Sequence, residues 1–156
     1  MKMNNRTTEK LMAVLKRIKV EDTDKFFEDN KDNFIFENKI VFRDYMRKVI
    51  REKHKTQQEV FLSAGIPNRY GYKLISGERH TLQRDVVIRM CIGAGLNLQE
   101  TQKALELYQM PKLYPKFLRD AVIMIAINNR VKSVSDINCL LEKHGVDLLV
   151  ECGKEI

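Results

Sequence analysis

The sequence has few of the residues that hold small secreted domains together or bind metals. Its three cysteines, Cys91, Cys139 and Cys152, are far apart, and no CxxC motif or neighbouring histidine pair accompanies them. An odd, scattered set of cysteines argues against a disulfide framework and against a zinc site. We therefore expect no metal and no other cofactor, and we interpret the cysteines as ordinary thiols in a reducing compartment.

Long apolar runs are missing as well. The longest, residues 121–127, is far shorter than the ~20 residues needed to cross a bilayer. The first ten residues, MKMNNRTTEK, lack the apolar stretch of a secretion signal. We therefore expect a cytoplasmic protein without membrane association. Because 44% of the 156 residues are hydrophobic, the chain has enough apolar content to fold around a core.

The motifs of several enzyme classes are also absent. The sequence contains no GxxxxGK[ST] phosphate-binding loop, no HExxH metalloprotease motif and no GxSxG nucleophile motif. Carboxylate pairs are abundant on the predicted helices, but none stands out as a general acid and base. We therefore interpret the protein as a non-enzyme.

What the sequence does contain is helical periodicity along almost its whole length. Apolar residues recur at i, i+3, i+4 and i+7 from Leu11 to Ile18 and again from Phe42 to Ile50. Capping boxes at 56–59 and 97–100 predict two further helix starts. The pattern predicts an all-α protein of roughly eight helices, with the main ones over about 8–19, 39–53, 56–64, 67–76, 85–94, 97–110, 117–128 and 133–144.

The charge is unevenly distributed along the chain. Residues 1–42 carry a net charge of +1, residues 43–84 a net charge of +6 and residues 85–156 a net charge of 0. A local basic block in an otherwise neutral protein is typical of a polyanion partner. The alternative is a solvated helix face without a partner. Residues 21–37 have the opposite character, with seven acidic residues, two lysines and four phenylalanines.

The most informative stretch is residues 56–77, TQQEVFLSAGIPNRYGYKLISG. It combines a capped helix, a small residue at Ala64, a turn at Gly65 and a second helix with two distinct faces. These are the requirements of a helix-turn-helix motif. In the second helix Ile66, Tyr70 and Leu74 are predicted to face inward, and the polar face is predicted to carry Asn68, Arg69, Tyr72 and Lys73.

This stretch resembles the Cro/lambda-repressor-like (XRE) family of helix-turn-helix proteins. The matching residues are Thr56, Gln57, Glu59, Val60, Ala64, Gly65, Ile66, Leu74 and Gly77. Residues 97–150 also resemble a helical tail that a subset of these proteins carries in Firmicutes. One position departs from the family, because Gly71 stands where a branched apolar residue is usual. We expect the helix to pack closely there, with Tyr70 filling the gap.

The resemblance implies a domain organisation. Residues 1–38 would form an N-terminal helical, acidic segment, and residues 39–110 a five-helix lambda-repressor-like domain that binds DNA. Residues 111–156 would form a C-terminal helical extension packed on that domain. The family also implies a homodimer on double-stranded DNA, in the cytoplasm of a bacterium and nucleoid-associated when bound.

The resemblance assigns site residues position by position. The family reads bases with the first two turns of the second helix, here residues 67–76, which implies base contacts in the major groove by Asn68, Arg69, Tyr72 and Lys73. These side chains suit base edges chemically. Phosphate contacts are implied at the start of the preceding helix and after the second helix, by Gln57, Arg79, His80, Thr81 and Arg84.

Other interpretations stay open at this point. Tyr70 is more readily explained as a core residue than as a DNA contact, and Tyr72 fits a groove contact and an ordinary surface position equally well. The sequence predicts a sequence-specific transcriptional regulator. The alternative is a protein-binding adaptor that reuses the fold and engages its partner through residues 1–40 or the C-terminal helices. Nonspecific binding of nucleic acid would need a larger basic excess or more aromatic surface.

Overall fold

Every regular element in the part of the chain that the computed structural model describes, residues 7–34 and 38–152, is helical. The predicted all-α class is therefore confirmed for these residues, which contain nine α-helices, two 3-10 turns and no strand. The α-helices are α1 (Thr8–Leu15), α2 (Thr23–Asp29), α3 (Asn38–Glu52), α4 (Gln57–Ala64), α5 (Asn68–Ser76), α6 (Arg84–Ala94), α7 (Leu98–Leu107), α8 (Leu118–Asn128) and α9 (Val134–Lys143).

The chain divides into two compact units, residues 1–37 and 38–156. In the first unit, α1 begins where the Thr7 hydroxyl accepts a hydrogen bond from the amide of Lys10, and it ends at Leu15, four residues before the predicted end. The rings of Phe26, Phe27 and Phe34 pack edge to face with centroids 5.0 to 6.1 Å apart. The fourth phenylalanine of this acidic stretch, Phe36, lies outside the described residues.

Local caps set the starts of α4, α7 and α9 in the second unit. The Thr56 hydroxyl accepts from the amide of Glu59 at 3.1 Å, and the Glu59 carboxylate accepts from the amide of Thr56 at 3.2 Å. Asn97 and Glu100 form the same reciprocal pair at the start of α7. Both predicted capping boxes are thereby confirmed. Each satisfies amides that the first turn of a helix leaves without partners.

The core of the second unit surrounds α6. Every residue from Asp85 to Ala94 is buried, as expected for a helix enclosed by its neighbours. Helix α4 crosses it so closely that a Cβ atom added to Gly93 would lie 2.5 Å from the carbonyl oxygen of Val60. Helices α8 and α9 belong to the same unit as α3–α7. The buried side chains of all these helices form one continuous core.

No helix in the described residues is long and apolar enough to cross a membrane.

Candidate nucleic-acid interface

Helices α4 and α5 are joined by a tight turn that fixes their relative direction. Gly65 ends α4 with a φ of 68°, in the left-handed region that glycine adopts without strain. Pro67 then precedes the first residue of α5, and Gly77 ends α5 with a φ of 83°. Ile66, between the two helices, is buried and anchors the turn in the core.

Helix α5 presents two distinct faces. Gly71, Leu74 and Ile75 are buried, and Tyr70 is half-buried against the same core. Asn68, Arg69 and Tyr72 are exposed, and Lys73 is partly exposed. The predicted division of this helix into an apolar inner face and a polar outer face is therefore observed. The four side chains proposed to read bases lie within its first two turns.

The outer face of α5 is available to a partner. Within the described residues, the side chains of Asn68, Arg69 and Lys73 make no hydrogen bond and no ion pair. Tyr72 differs, because its ring packs edge to face on Phe61 with the centroids 5.0 Å apart. That contact holds the ring in place while leaving much of the side chain exposed.

The expectation that Tyr70 fills the space at Gly71 is wrong. The ring of Phe61, on α4, occupies it, and a Cβ atom added to Gly71 would lie 2.5 to 2.6 Å from three atoms of that ring. Phe61 is itself fully buried. The missing side chain at Gly71 thus lets a large ring of α4 lie against the backbone of α5.

The loop between α5 and α6, residues 77–83, carries two of the predicted phosphate contacts in exposed positions. Arg79 makes no side-chain hydrogen bond or ion pair within the described residues, and its amide donates to the carbonyl of Lys73. The imidazole of His80 stacks on the ring of Tyr108 with centroids 4.6 Å apart and an angle of 1° between the planes. This stacking holds His80, and with it the exposed loop, against the buried Tyr108.

Two predicted phosphate contacts need correction. Thr81 is only 2% exposed, its amide donates to the Tyr108 hydroxyl at 2.9 Å, and its own hydroxyl accepts from the amide of Gln83. Arg84 donates both terminal nitrogens to the carboxylate of Asp120, at 3.1 and 2.6 Å. Thr81 is therefore a packing residue, and Arg84 is a tether to α8, because both are already engaged within the chain.

Gln57, the remaining predicted phosphate contact, is the first residue of α4. Its side chain is partly exposed beside the amides of the first turn. The start of a helix favours an anion, since the amides there point outward and the helix dipole is positive at that end.

Five of the ten lysines and arginines of the basic block, residues 43–84, are engaged within the chain. Lys53 pairs with Glu100 at 3.0 Å, and Lys55 donates to the carbonyl of Gly93 near the end of α6. Arg43 and Lys48, both on α3, form exposed pairs with neighbouring carboxylates. The cations of residues 43–84 whose side chains form neither a hydrogen bond nor an ion pair within the described residues are Arg47, Arg51, Arg69, Lys73 and Arg79.

The start of α6 is joined to α8 by two reciprocal ion pairs. Arg84 binds Asp120, and its neighbour Asp85 binds Arg119 through two hydrogen bonds of 3.0 and 2.8 Å. Burial raises the pKa of the Asp85 carboxyl, but hydrogen bonds from Arg119 and from the amide of Val150 outweigh burial and hold that pKa below its ordinary value. Helix α8 is thus attached to the start of α6, which is also the end of the loop that follows α5.

Arg89 is a structural residue that sequence reasoning missed. Its side chain is buried and donates to the carbonyls of Ala64, Leu149 and Val150. It therefore joins the end of α4 to the segment after α9. A charged residue inside the apolar pattern of α6 was the one signal for it in the sequence.

The described residues contain no group of three or more side chains placed to hold a metal ion. Cys91 and Cys139 carry free thiols, and burial raises the pKa of the Cys91 thiol to about 12. Cys91 is therefore a packing residue with very little thiolate at neutral pH.

Comparisons of the chain with models of protein families, with curated proteins and with solved structures find no match.

Proposed function

We propose that residues 39–110 form a five-helix lambda-repressor-like domain with α4 and α5 as its helix-turn-helix, and that the protein is a sequence-specific DNA-binding regulator. Helix α5 would enter the major groove as the recognition helix. The single observation that carries the proposal is the outer face of α5, where Asn68, Arg69 and Lys73 are held on a rigid helix without partners in the described chain.

The chemistry of that face suits base edges. Arg69 and Lys73 can donate to O6 and N7 of guanine, and Asn68 can pair with N6 and N7 of adenine. Tyr72, fixed against Phe61, can meet a thymine methyl group or a phosphate. The contact with Phe61 matters because the Tyr72 side chain then loses less conformational freedom when it binds.

Phosphate contacts would flank this helix on both sides. Gln57 lies at the start of α4, and Arg79 and His80 lie in the loop after α5. Such contacts fix the register of a protein on the duplex, while the base contacts select the sequence. Thr81 and Arg84 would not contact phosphate, since both are engaged inside the fold.

The preferred DNA site can be identified by selecting bound duplexes from a random pool. Affinities are then measured by fluorescence anisotropy for wild type, Arg69→Ala and the control Lys132→Ala, whose lysine is exposed outside this face. We expect Arg69→Ala to cost about 1–3 kcal/mol on the selected site and to relax one base position. Lys132→Ala should change binding by less than about 0.5 kcal/mol.

Salt dependence separates this function from its alternatives. With about six phosphates neutralised per dimer, log K against log[salt] should have a slope near −5. A protein-binding adaptor would show almost no affinity for any duplex, and a nonspecific binder would select no sequence. Equal losses by Arg69→Ala on selected and random DNA would make Arg69 a phosphate contact instead of a base contact.

A further inference from the structure

A group of large apolar side chains is exposed around the Arg84–Asp120 ion pair. Leu82, two residues before Arg84, is 89% exposed. On the other side of the pair, Tyr114, Phe117 and Leu118 are 47%, 63% and 57% exposed, and the amide of Tyr114 donates to the carboxylate of Asp120. We call these four side chains the apolar rim. Along the sequence, each of them lies within six residues of Arg84 or of Asp120, the two partners of the ion pair.

Two members of the rim, Tyr114 and Phe117, are fixed against each other. The rings of Tyr114 and Phe117 pack edge to face with centroids 5.1 Å apart, and the amide of Phe117 donates to the carbonyl of Tyr114. Leu118 is the first residue of α8, and the exposed Ile125 continues the same helix face two turns later. An ordered apolar surface of this kind is more typical of an interface than of a solvated loop.

The size of the rim fits a symmetric dimer. Side chains of this size and exposure each present on the order of 100 Å², so the rim presents about 400 Å² per copy, in the range of the largest patch on a typical monomer. Two copies would cover about 800 Å² of apolar surface. Since homodimer interfaces are roughly 65% apolar, that corresponds to a total near 1,200 Å², the lower end of stable specific interfaces.

The location of the rim also fits a second copy. Leu82 belongs to the loop after α5, which carries Arg79 and His80. In a two-fold dimer the same patch meets itself, so both loops would lie beside the axis, with one α5 on each side of it. Two-fold symmetry of this kind matches a pair of inverted half-sites on one face of a duplex.

We propose that the apolar rim, Leu82, Tyr114, Phe117 and Leu118, is the homodimer interface of this protein, with a second copy of the chain as its occupant. The choice of occupant rests on the proposed DNA-binding function. The interface itself is tested without DNA, so its failure and the failure of DNA binding are separate results.

The test is sedimentation equilibrium of the full chain without DNA, for wild type, Leu118→Glu, Leu82→Glu and the control Leu62→Glu. Glutamate in the first turn of α8 interacts favourably with the helix dipole, so Leu118→Glu should keep the fold. Leu62 is 83% exposed on α4, outside the rim, and its substitution changes the net charge equally. Circular dichroism and thermal melting confirm that each variant is folded.

We expect wild type to sediment at twice the 18.3 kDa of one chain. Leu118→Glu and Leu82→Glu should each raise the dimer Kd at least about 100-fold, because they remove apolar contact and force a carboxylate into an apolar interface. Leu62→Glu should change it less than about twofold. A wild type that stays monomeric at about 100 µM would overturn the proposal, since its own residues 1–37 or another partner would then be the occupant.

Two other results would also overturn the proposal. One is a dimer of wild-type affinity in folded Leu118→Glu and Leu82→Glu. The other is a rise of the dimer Kd in the control Leu62→Glu that equals the rise in Leu118→Glu and Leu82→Glu. Salt gives an independent readout, because the exposed charged side chains of residues 111–118 are Lys112 and Lys116, both cationic. These lysines repel their counterparts on the second copy, so screening should tighten the dimer as salt rises. Salt has the opposite effect on DNA binding, which it weakens. A dimer weakened by salt would argue against this interface.

Discussion

At the scale of single residues, the most constrained position in the proposed recognition helix is Gly71. A methyl group there would overlap the ring of Phe61, which is fully buried. Alanine gains about 1 kcal/mol of helix propensity over glycine, but overpacking a core costs about 1–3 kcal/mol. The difference is a net cost, so we expect Gly71→Ala to lower the free energy of unfolding in urea by up to about 2 kcal/mol.

The matched control for this prediction removes the obstacle. In the double variant Phe61→Leu, Gly71→Ala, the added methyl group no longer meets a ring, so the alanine substitution should cost much less than in the wild-type background. A double-mutant cycle measures this coupling directly. Equal costs of Gly71→Ala in both backgrounds would show that Phe61 is not the cause.

Residue roles could be predicted from the sequence where they depend on local pattern alone. The polar face of α5 follows from helical periodicity, and the left-handed turns at Gly65 and Gly77 follow from residue type. The roles of Thr81 and Arg84 could not be predicted in this way. Their partners, Tyr108 and Asp120, lie 27 and 36 residues further along the chain, and no local signal indicates such contacts.

At the scale of secondary-structure elements, the same distinction explains which boundaries were predicted. Helix α7 begins at its predicted capping box and α9 begins after the predicted cap Ser133, because these signals lie within four residues of the helix start. The early end of α1 at Leu15 has no such marker. How α8 attaches to α6 was beyond sequence reasoning, since the reciprocal ion pairs are tertiary contacts.

The attachment of α8 to α6 predicts a specific pH dependence. The pKa of Asp85 is held below its ordinary value in the folded protein, mainly because hydrogen bonds to Arg119 and Val150 outweigh burial. A lowered folded-state pKa stabilises the fold above the unfolded value of about 4, and that stability is lost as the pH falls through the folded value. We expect Asp85→Asn to cost about 1–3 kcal/mol at pH 7, measured by urea unfolding.

Between pH 6 and pH 3, wild type should then lose more stability than Asp85→Asn, which has no carboxyl to protonate at this position. The control is Asp44→Asn, because Asp44 belongs to an exposed ion pair with Arg43 and such pairs contribute about 0–1 kcal/mol. Identical losses in wild type and Asp85→Asn over this range would remove Asp85 from the explanation of acid unfolding.

At the scale of the whole molecule, the chain combines two compact units of different charge. Residues 21–37 carry a net charge of −5, whereas residues 43–84 carry +6. In the described part of the first unit the aromatic rings pack on one another, while acidic side chains such as Asp24, Glu28 and Asp32 are exposed. Charges joined by so short a length of chain interact through solvent at low ionic strength, where the Debye length reaches about 30 Å at 0.01 M.

This distribution predicts that the acidic stretch, residues 21–37, restrains nonspecific DNA binding. The test is the triple variant Asp24→Asn, Glu28→Gln, Asp32→Asn, which removes three charges and keeps all the phenylalanines that pack in this unit. We expect it to bind random duplex several-fold more tightly than wild type near 0.01 M salt, and nearly equally above 0.15 M, because screening then removes the repulsion. The control neutralises three exposed acids after α8, in Glu142→Gln, Asp147→Asn, Glu151→Gln. If both triple variants tighten binding equally, net charge alone explains the effect and residues 21–37 have no special part in it. Weaker binding by the folded first variant would contradict the restraint directly.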